Sequence, residues 1–217
     1  MRAASLVSWT IAIILVFSLV FSTAAYADEK ESTSLEPHSI GTWIGISYDS
    51  PTGLLLGTTP GRNFHEVVLR LDWRIVEVQY FRADYTLDII PFAMLTGNPN
   101  RSLSFFRSQP VSGSATLYGI GAAPLGLRLG IPLSKKRVFL FASGSMGFLI
   151  FESPAPTIEA SAFNYTFDLG GGVEIAVSPG FSLVGGYKLH HFSNADRALE
   201  NPGVDSNMYY LGVNWIR

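Results

Sequence analysis

The chain has 217 residues, of which 47% are hydrophobic and only 15% charged, with a formal net charge of −2 and no cysteine. That balance leaves no basic patch for holding nucleic acid, and the missing cysteines exclude a disulfide scaffold. So small a charged share also sits badly with a soluble domain, where about a quarter of residues carry charge.

The first stretch is processing signal rather than fold. Arg2 is followed by an almost unbroken apolar run from Ile11 to Phe21, then by Ala25-Tyr26-Ala27 and the polar start Asp28-Glu29-Lys30. A positive end, an apolar centre and a small-x-small site predict a signal peptide over 1–27, cleaved after Ala27. An uncleaved anchor is the weaker reading, because the run falls short of the roughly 20 residues a spanning helix needs. Cleavage removes Arg2, so the mature balance is 15 − 1 = 14 basic against 17 acidic residues, or −3. Downstream there is no apolar run of about 18 residues, which excludes a spanning helix. Alternating strands of a membrane barrel, with half of each strand facing lipid, reconcile this with the low charge content.

Residues 28–39 read as a polar, periplasmic lead-in, and Ile40 to Tyr48 as a first strand. Ser50 to Asn63 is rich in Gly, Pro and Thr, which marks a long loop. The second strand has period two: Val67, Leu69, Leu71 and Trp73 on one face, Glu66, Arg70, Asp72 and Arg74 on the other. The third sets Tyr85, Leu87 and Ile89 against Arg82, Asp84, Thr86 and Asp88, with its boundary somewhere in Val76 to Phe81. Thr96 to Ala115 is a second long loop, and Leu117 to Ile131 a fourth strand with Arg128 opposite the register of Leu125, Leu127, Leu129 and Ile131. A short charged turn leads to a fifth strand, Val138 to Phe151; Glu152 to Ala160 is a third loop. In the sixth strand Phe163, Tyr165, Phe167 and Leu169 alternate with Asn164, Thr166, Asp168 and Gly170. After Ser178-Pro179-Gly180 come a seventh strand, Phe181 to about Ser193, and an eighth from about Ser206 to Ile216.

Eight strands with connections alternating long and short predict an all-β fold, an antiparallel up-and-down transmembrane barrel over 40–217. The competing architecture is a soluble lipocalin-like barrel, whose outside would need more charge than this chain has.

Polar chemistry gathers at one place, Tyr187-Lys188-Leu189-His190-His191-Phe192-Ser193-Asn194 with Asn201-Pro202-Gly203-Val204-Asp205. Successive strand side chains point to opposite faces. His191 and Ser193 therefore share the lipid side with Leu189, and Asp205 shares it with Tyr209 and Leu211 on the next strand. Ionisable groups on such a wall are costly unless paired. His191 is placed to take the Ser193 proton, Asp205 to hold the other ring nitrogen, and Asn194 to donate to an oxyanion, with backbone N–H groups as rivals. His190 falls on the lumen side and stays outside the site. Adjacent histidines with Asp196 invite a metal reading, but neighbours on a strand diverge, so no metal site is predicted.

At these residues the chain resembles the lipid A 3-O-deacylase family of the PagL type. The match is His191-Phe192-Ser193-Asn194-Ala195, Asn201-Pro202-Gly203 and the acid fourteen places after His191, with weaker support from Ala123 to Arg128 and Phe163 to Phe167. The resemblance implies an eight-stranded barrel of the Gram-negative outer membrane that hydrolyses the 3-linked acyl ester of lipid A in lipopolysaccharide. It implies no cofactor. Carried over by position, Ser193 is the nucleophile, His191 the base, Asp205 the orienting acid and Asn194 an oxyanion donor. The best-known members have glutamate where this chain has Asp205, one methylene shorter; Glu200 is the fallback acid. Expected partners are lipid A and outer-membrane lipids, with a homodimer left open. The alternatives are a phospholipase-type esterase on the same wall and a non-catalytic adhesin or structural barrel.

Overall fold

The computed structural model describes residues 36–51, 53–97, 116–133 and 137–216. The predicted signal peptide, most of the lead-in, most of the second long loop and the charged turn at 134–136 lie outside them. Eight strands follow in order: β1 (Ser39–Ser47), β2 (Arg62–Val78), β3 (Phe81–Gly97), β4 (Leu117–Leu133), β5 (Val138–Ala155), β6 (Ser161–Ser178), β7 (Phe181–Ser193) and β8 (Val204–Ile216). Each pairs with its sequence neighbours, and β8 returns to β1 from Ser39↔Ile216 to Ile46↔Tyr209, closing the barrel. Closure removes every unpaired strand edge, as a wall without access to water requires.

Alternation decides which side of the wall each residue takes. Glu66, Arg70 and Asp72 of β2, Asp84 and Asp88 of β3, Arg128 of β4, and Asp168 and Glu174 of β6 are buried in the lumen. Leu69, Ile89, Leu125, Leu140, Leu169 and Leu211 stand exposed on the outside. The barrel is inside-out with respect to water, so it is a transmembrane barrel and not a soluble one. Lumen charges pair across the strands: Arg70 with Asp88 at 2.7 Å, Arg128 with Glu174 at 2.8 Å, and Lys188 with Glu66 at 3.0 Å. Arg128 also lies over Phe141, 4.7 Å from the ring centre. The inward aromatic residues of β5, a strand apolar on both faces in sequence, thus cover lumen cations.

Several boundaries differ from the sequence reading. The uncertain Val76 to Phe81 stretch contains the end of β2 and a two-residue turn, Gln79-Tyr80. β4 runs on to Leu133. β5 runs on through Pro154 to Ala155, which shortens the third loop to 156–160. β8 begins at Val204 and not Ser206, which draws Asp205 into the strand. Two prolines also break the period-two pattern. The register shifts between Ile90 and Ala93 in β3, and between Ala122 and Leu125 in β4, with Pro91 and Pro124 inside the shifts. Proline donates no ladder hydrogen bond and is tolerated at such bulges.

Candidate active site

The site forms where β7 and β8 meet at the end of the barrel bearing the long connections. The β7–β8 register sets His191 directly opposite Asp205. Directly opposed side chains share a face at Cβ separations of about 5 Å, and the outer face is the one alternation gives both. The His191 Nδ1–H donates to Asp205 Oδ1 at 2.7 Å, and Ser193 Oγ lies 3.0 Å from His191 Nε2. A carboxylate only accepts hydrogen bonds, so its contact fixes the proton on Nδ1 and leaves Nε2 to accept the serine hydroxyl. The structure therefore brings Ser193, His191 and Asp205 into one hydrogen-bonded line. Asp205 is 0% exposed and His191 7%, on a wall otherwise open to lipid, while Ser193 keeps partial exposure.

Directly after Ser193 the chain leaves the sheet. Ala195 and Asp196 both take positive φ, 53° and 59°, a region that non-glycine residues enter at a cost. Asn194 stabilises this turn. Its Nδ2 donates to Glu200 O at 2.7 Å, its Oδ1 accepts from Arg197 N at 3.2 Å, and its own N–H donates to Asn201 Oδ1 at 2.9 Å. A side-chain amide has two hydrogens, and the bond to Glu200 O uses one of them.

Glu200 does not meet the imidazole. Its carboxylate accepts from Thr157 Oγ1 at 3.0 Å and its N–H donates to Glu159 O at 3.3 Å, which ties the β7–β8 loop to the β5–β6 loop. The carboxylate at His191 is that of Asp205. His190 faces the lumen, bonded to Asp168 at 2.6 Å and stacked on Phe64 with ring centres 4.7 Å apart. Among the described residues no cluster of His, Asp and Glu is arranged to hold a metal.

Two features have no counterpart in the sequence reading. The Arg197 guanidinium lies over the Tyr165 ring at 4.9 Å, and Tyr165 is the β6 residue opposite Ser193. The β1–β2 loop reaches Asp205 through backbone N–H groups of Leu55 and Leu56. Period-two alternation carries no information on either, since both contacts involve loops; the glycine at position 57 is the one local sign of a close approach.

The model of the family described as lipid A 3-O-deacylase (PagL) matches residues 79–214, well over half of the chain. No curated protein matches it. Among solved structures, that of the outer membrane enzyme PagL is similar at 15% identity with a TM-score of 0.58, covering 82% of this chain and 99% of that one. Neisserial surface protein A (NspA) is similar at 13% identity and a TM-score of 0.50, covering 86% and 100%. At such identities the two likenesses speak to the barrel fold alone. The family match extends from the end of β2 almost to the end of β8 and contains Ser193, His191 and Asp205, and the chain is a member of the lipid A 3-O-deacylase (PagL) family.

Proposed function

We propose that this protein is an outer-membrane esterase that hydrolyses the 3-O-linked acyl ester of lipid A in the outer leaflet. The observation that carries the reading is the bridging position of His191, 2.7 Å from Asp205 and 3.0 Å from Ser193, on the face that meets lipid. A soluble hydrolase would have to extract its substrate from the bilayer; a nucleophile on the outer wall meets the glycolipid ester where it lies.

In the first step Ser193 Oγ attacks the ester carbonyl as its proton passes to His191 Nε2. The tetrahedral intermediate collapses when Nε2 returns that proton to the sugar oxygen, which leaves as the 3-hydroxyl. Water then attacks the acyl-serine with His191 again as base, releasing the hydroxy fatty acid and restoring Ser193. Asp205 stays ionised and supports the imidazolium. The second amide hydrogen of Asn194 is the candidate donor to the oxyanion, alongside backbone N–H groups. Arg197, held over Tyr165 beside the nucleophile, supplies positive charge suited to a phosphorylated sugar.

Mass spectrometry of lipid A from cells expressing the wild type or Ser193→Ala tests this. Loss of one 3-linked hydroxyacyl chain with the wild type alone is the expected result. Unaltered lipid A in both, with the barrel folded in the outer membrane, would overturn it; lysophospholipid in its place would identify a phospholipase.

A further inference from the structure

We propose that the β1–β2 loop is a working part of this site: the backbone N–H groups of Leu55 and Leu56, admitted by Gly57, set the Asp205 carboxylate against His191. The proposal rests on the Ser193–His191–Asp205 reading above and adds positioning residues to it. They lie outside the 79–214 stretch that matches the family.

By its place in β8, Asp205 points out of the barrel, yet it is fully buried. The β1–β2 loop is what meets it. Leu55 N–H donates to Asp205 Oδ2 at 2.6 Å and Leu56 N–H approaches Oδ1 at 3.4 Å, while Oδ1 also accepts from His191. Both carboxylate oxygens are thereby fixed and rotation about the Cβ–Cγ bond is stopped with Oδ1 aimed at Nδ1. Hydrogen bonds that fix a group supporting the reacting residues act through orientation.

Only glycine at position 57 permits the approach. A Cβ there would stand 2.5 Å from Asp205 N and 2.8 Å from its Cγ. Gly203 completes the seat from the other side: its φ is +57°, and a Cβ would lie 3.0 Å from His191 Cε1 and 3.4 Å from Gly57 Cα. The loop is pinned in this pose by Gly53 N to Gly57 O at 2.8 Å and by Thr58 N to Pro202 O at 2.6 Å. These contacts bear on the one departure from the family resemblance. An aspartate reaches one methylene less far than a glutamate and depends more on how its carboxylate is held, and here a loop from the other end of the sequence holds it.

The test compares Leu55→Ala, which keeps the N–H donor, with Leu55→Pro, which removes it, and with Gly57→Ala, which pushes the loop off Asp205. The full-length protein is assayed in detergent micelles on purified lipid A, with circular dichroism as the control for barrel folding. Leu55→Ala should stay within about twofold of wild type. Leu55→Pro and Gly57→Ala should each lower kcat about tenfold or more with KM little altered, the pattern of lost transition-state support, yet less than the roughly 10⁴-fold that disabling the acid of such a triad costs. Equal activity of all three folded variants would overturn the proposal, and so would a fall in Leu55→Ala as deep as in Leu55→Pro.

A second readout does not depend on turnover. The His191 Nδ1 proton, hydrogen-bonded to the carboxylate, should give a low-field NMR resonance in wild type and Leu55→Ala that weakens or vanishes in Leu55→Pro and Gly57→Ala. If the wild type leaves lipid A intact but the resonance follows the loop, the proposed function fails and the loop's hold on Asp205 stands. If lipid A is deacylated and the resonance ignores the loop, the reverse is true.

Discussion

One imidazole stands between Ser193 and Asp205, and which of its nitrogens carries the proton decides whether the three residues can act together. Asp205 sets that choice because it can only accept at Nδ1. Asp205→Asn removes the constraint, since an amide can donate to Nδ1 and turn the ring's proton to the serine side. The expected result is a loss of about 10⁴-fold in kcat with activity still measurable, because oxyanion donors and lipid binding remain. Ser193→Ala and His191→Ala should bring deacylation of purified lipid A to background with the barrel's circular dichroism unaltered. In the proposed reaction Arg197 serves binding and not the proton chain. Arg197→Ala should raise KM for a phosphorylated glycolipid about tenfold, the scale of one charge-assisted contact, and leave KM for an uncharged acyl ester alone. A similar rise for both substrates would count against a phosphate role.

At the scale of strands and loops, the two carboxylates weighed as the partner of His191 are separated by what each element does. Asp205 sits inside β8 opposite His191, whereas Glu200 belongs to a loop and bonds Thr157 of the neighbouring loop. Glu200→Gln keeps an acceptor for Thr157 Oγ1, so kcat should stay within about threefold of wild type, in contrast to Asp205→Asn in the same assay. A drop matching Asp205→Asn would return Glu200 to the catalytic line. The facing of His191 and Asp205 is legible in the sequence because one alternating run from Leu183 to Ser193, and another from Asp205 to Trp215, each fix a whole face from their apolar members. The bulges at Pro91 and Pro124 are not, since alternation reports parity only until something resets it. Nor is the burial of Asp205: Leu55 and Leu56 lie 150 and 149 residues away from it, in a loop with no period to read. Asn194 reads as a strand-end donor, but in three dimensions most of its hydrogen-bonding capacity goes into the turn after Ser193.

Across the whole molecule, one buried charge cluster lies at the end of the barrel opposite the site. The site lies by the long loops, while Asp84 near the start of β3 sits by the short turns and gathers three cations. It accepts from Arg74 Nε at 2.6 Å and Arg82 Nε at 2.7 Å, and Arg128 approaches at 3.4 Å. Arg82 also lies over Phe139 at 4.4 Å, so the cluster is packed as well as paired. A carboxylate with no exposed side-chain surface is tolerated only among such partners. Asp84→Ala leaves the guanidinium groups crowded in a closed lumen, and the loss of one member of a buried charge cluster is expected to cost about 3–5 kcal/mol. Urea unfolding in micelles, followed by tryptophan fluorescence, should show a lower midpoint at an unaltered slope, the mark of reduced stability with the same surface exposed. Because no hydrogen bond of Asp84 reaches the β7–β8 end, kcat and KM of the folded Asp84→Ala barrel should match wild type below the transition. A fall in kcat without a shift in the midpoint would mean that the lumen charges tune the outer wall through the sheet.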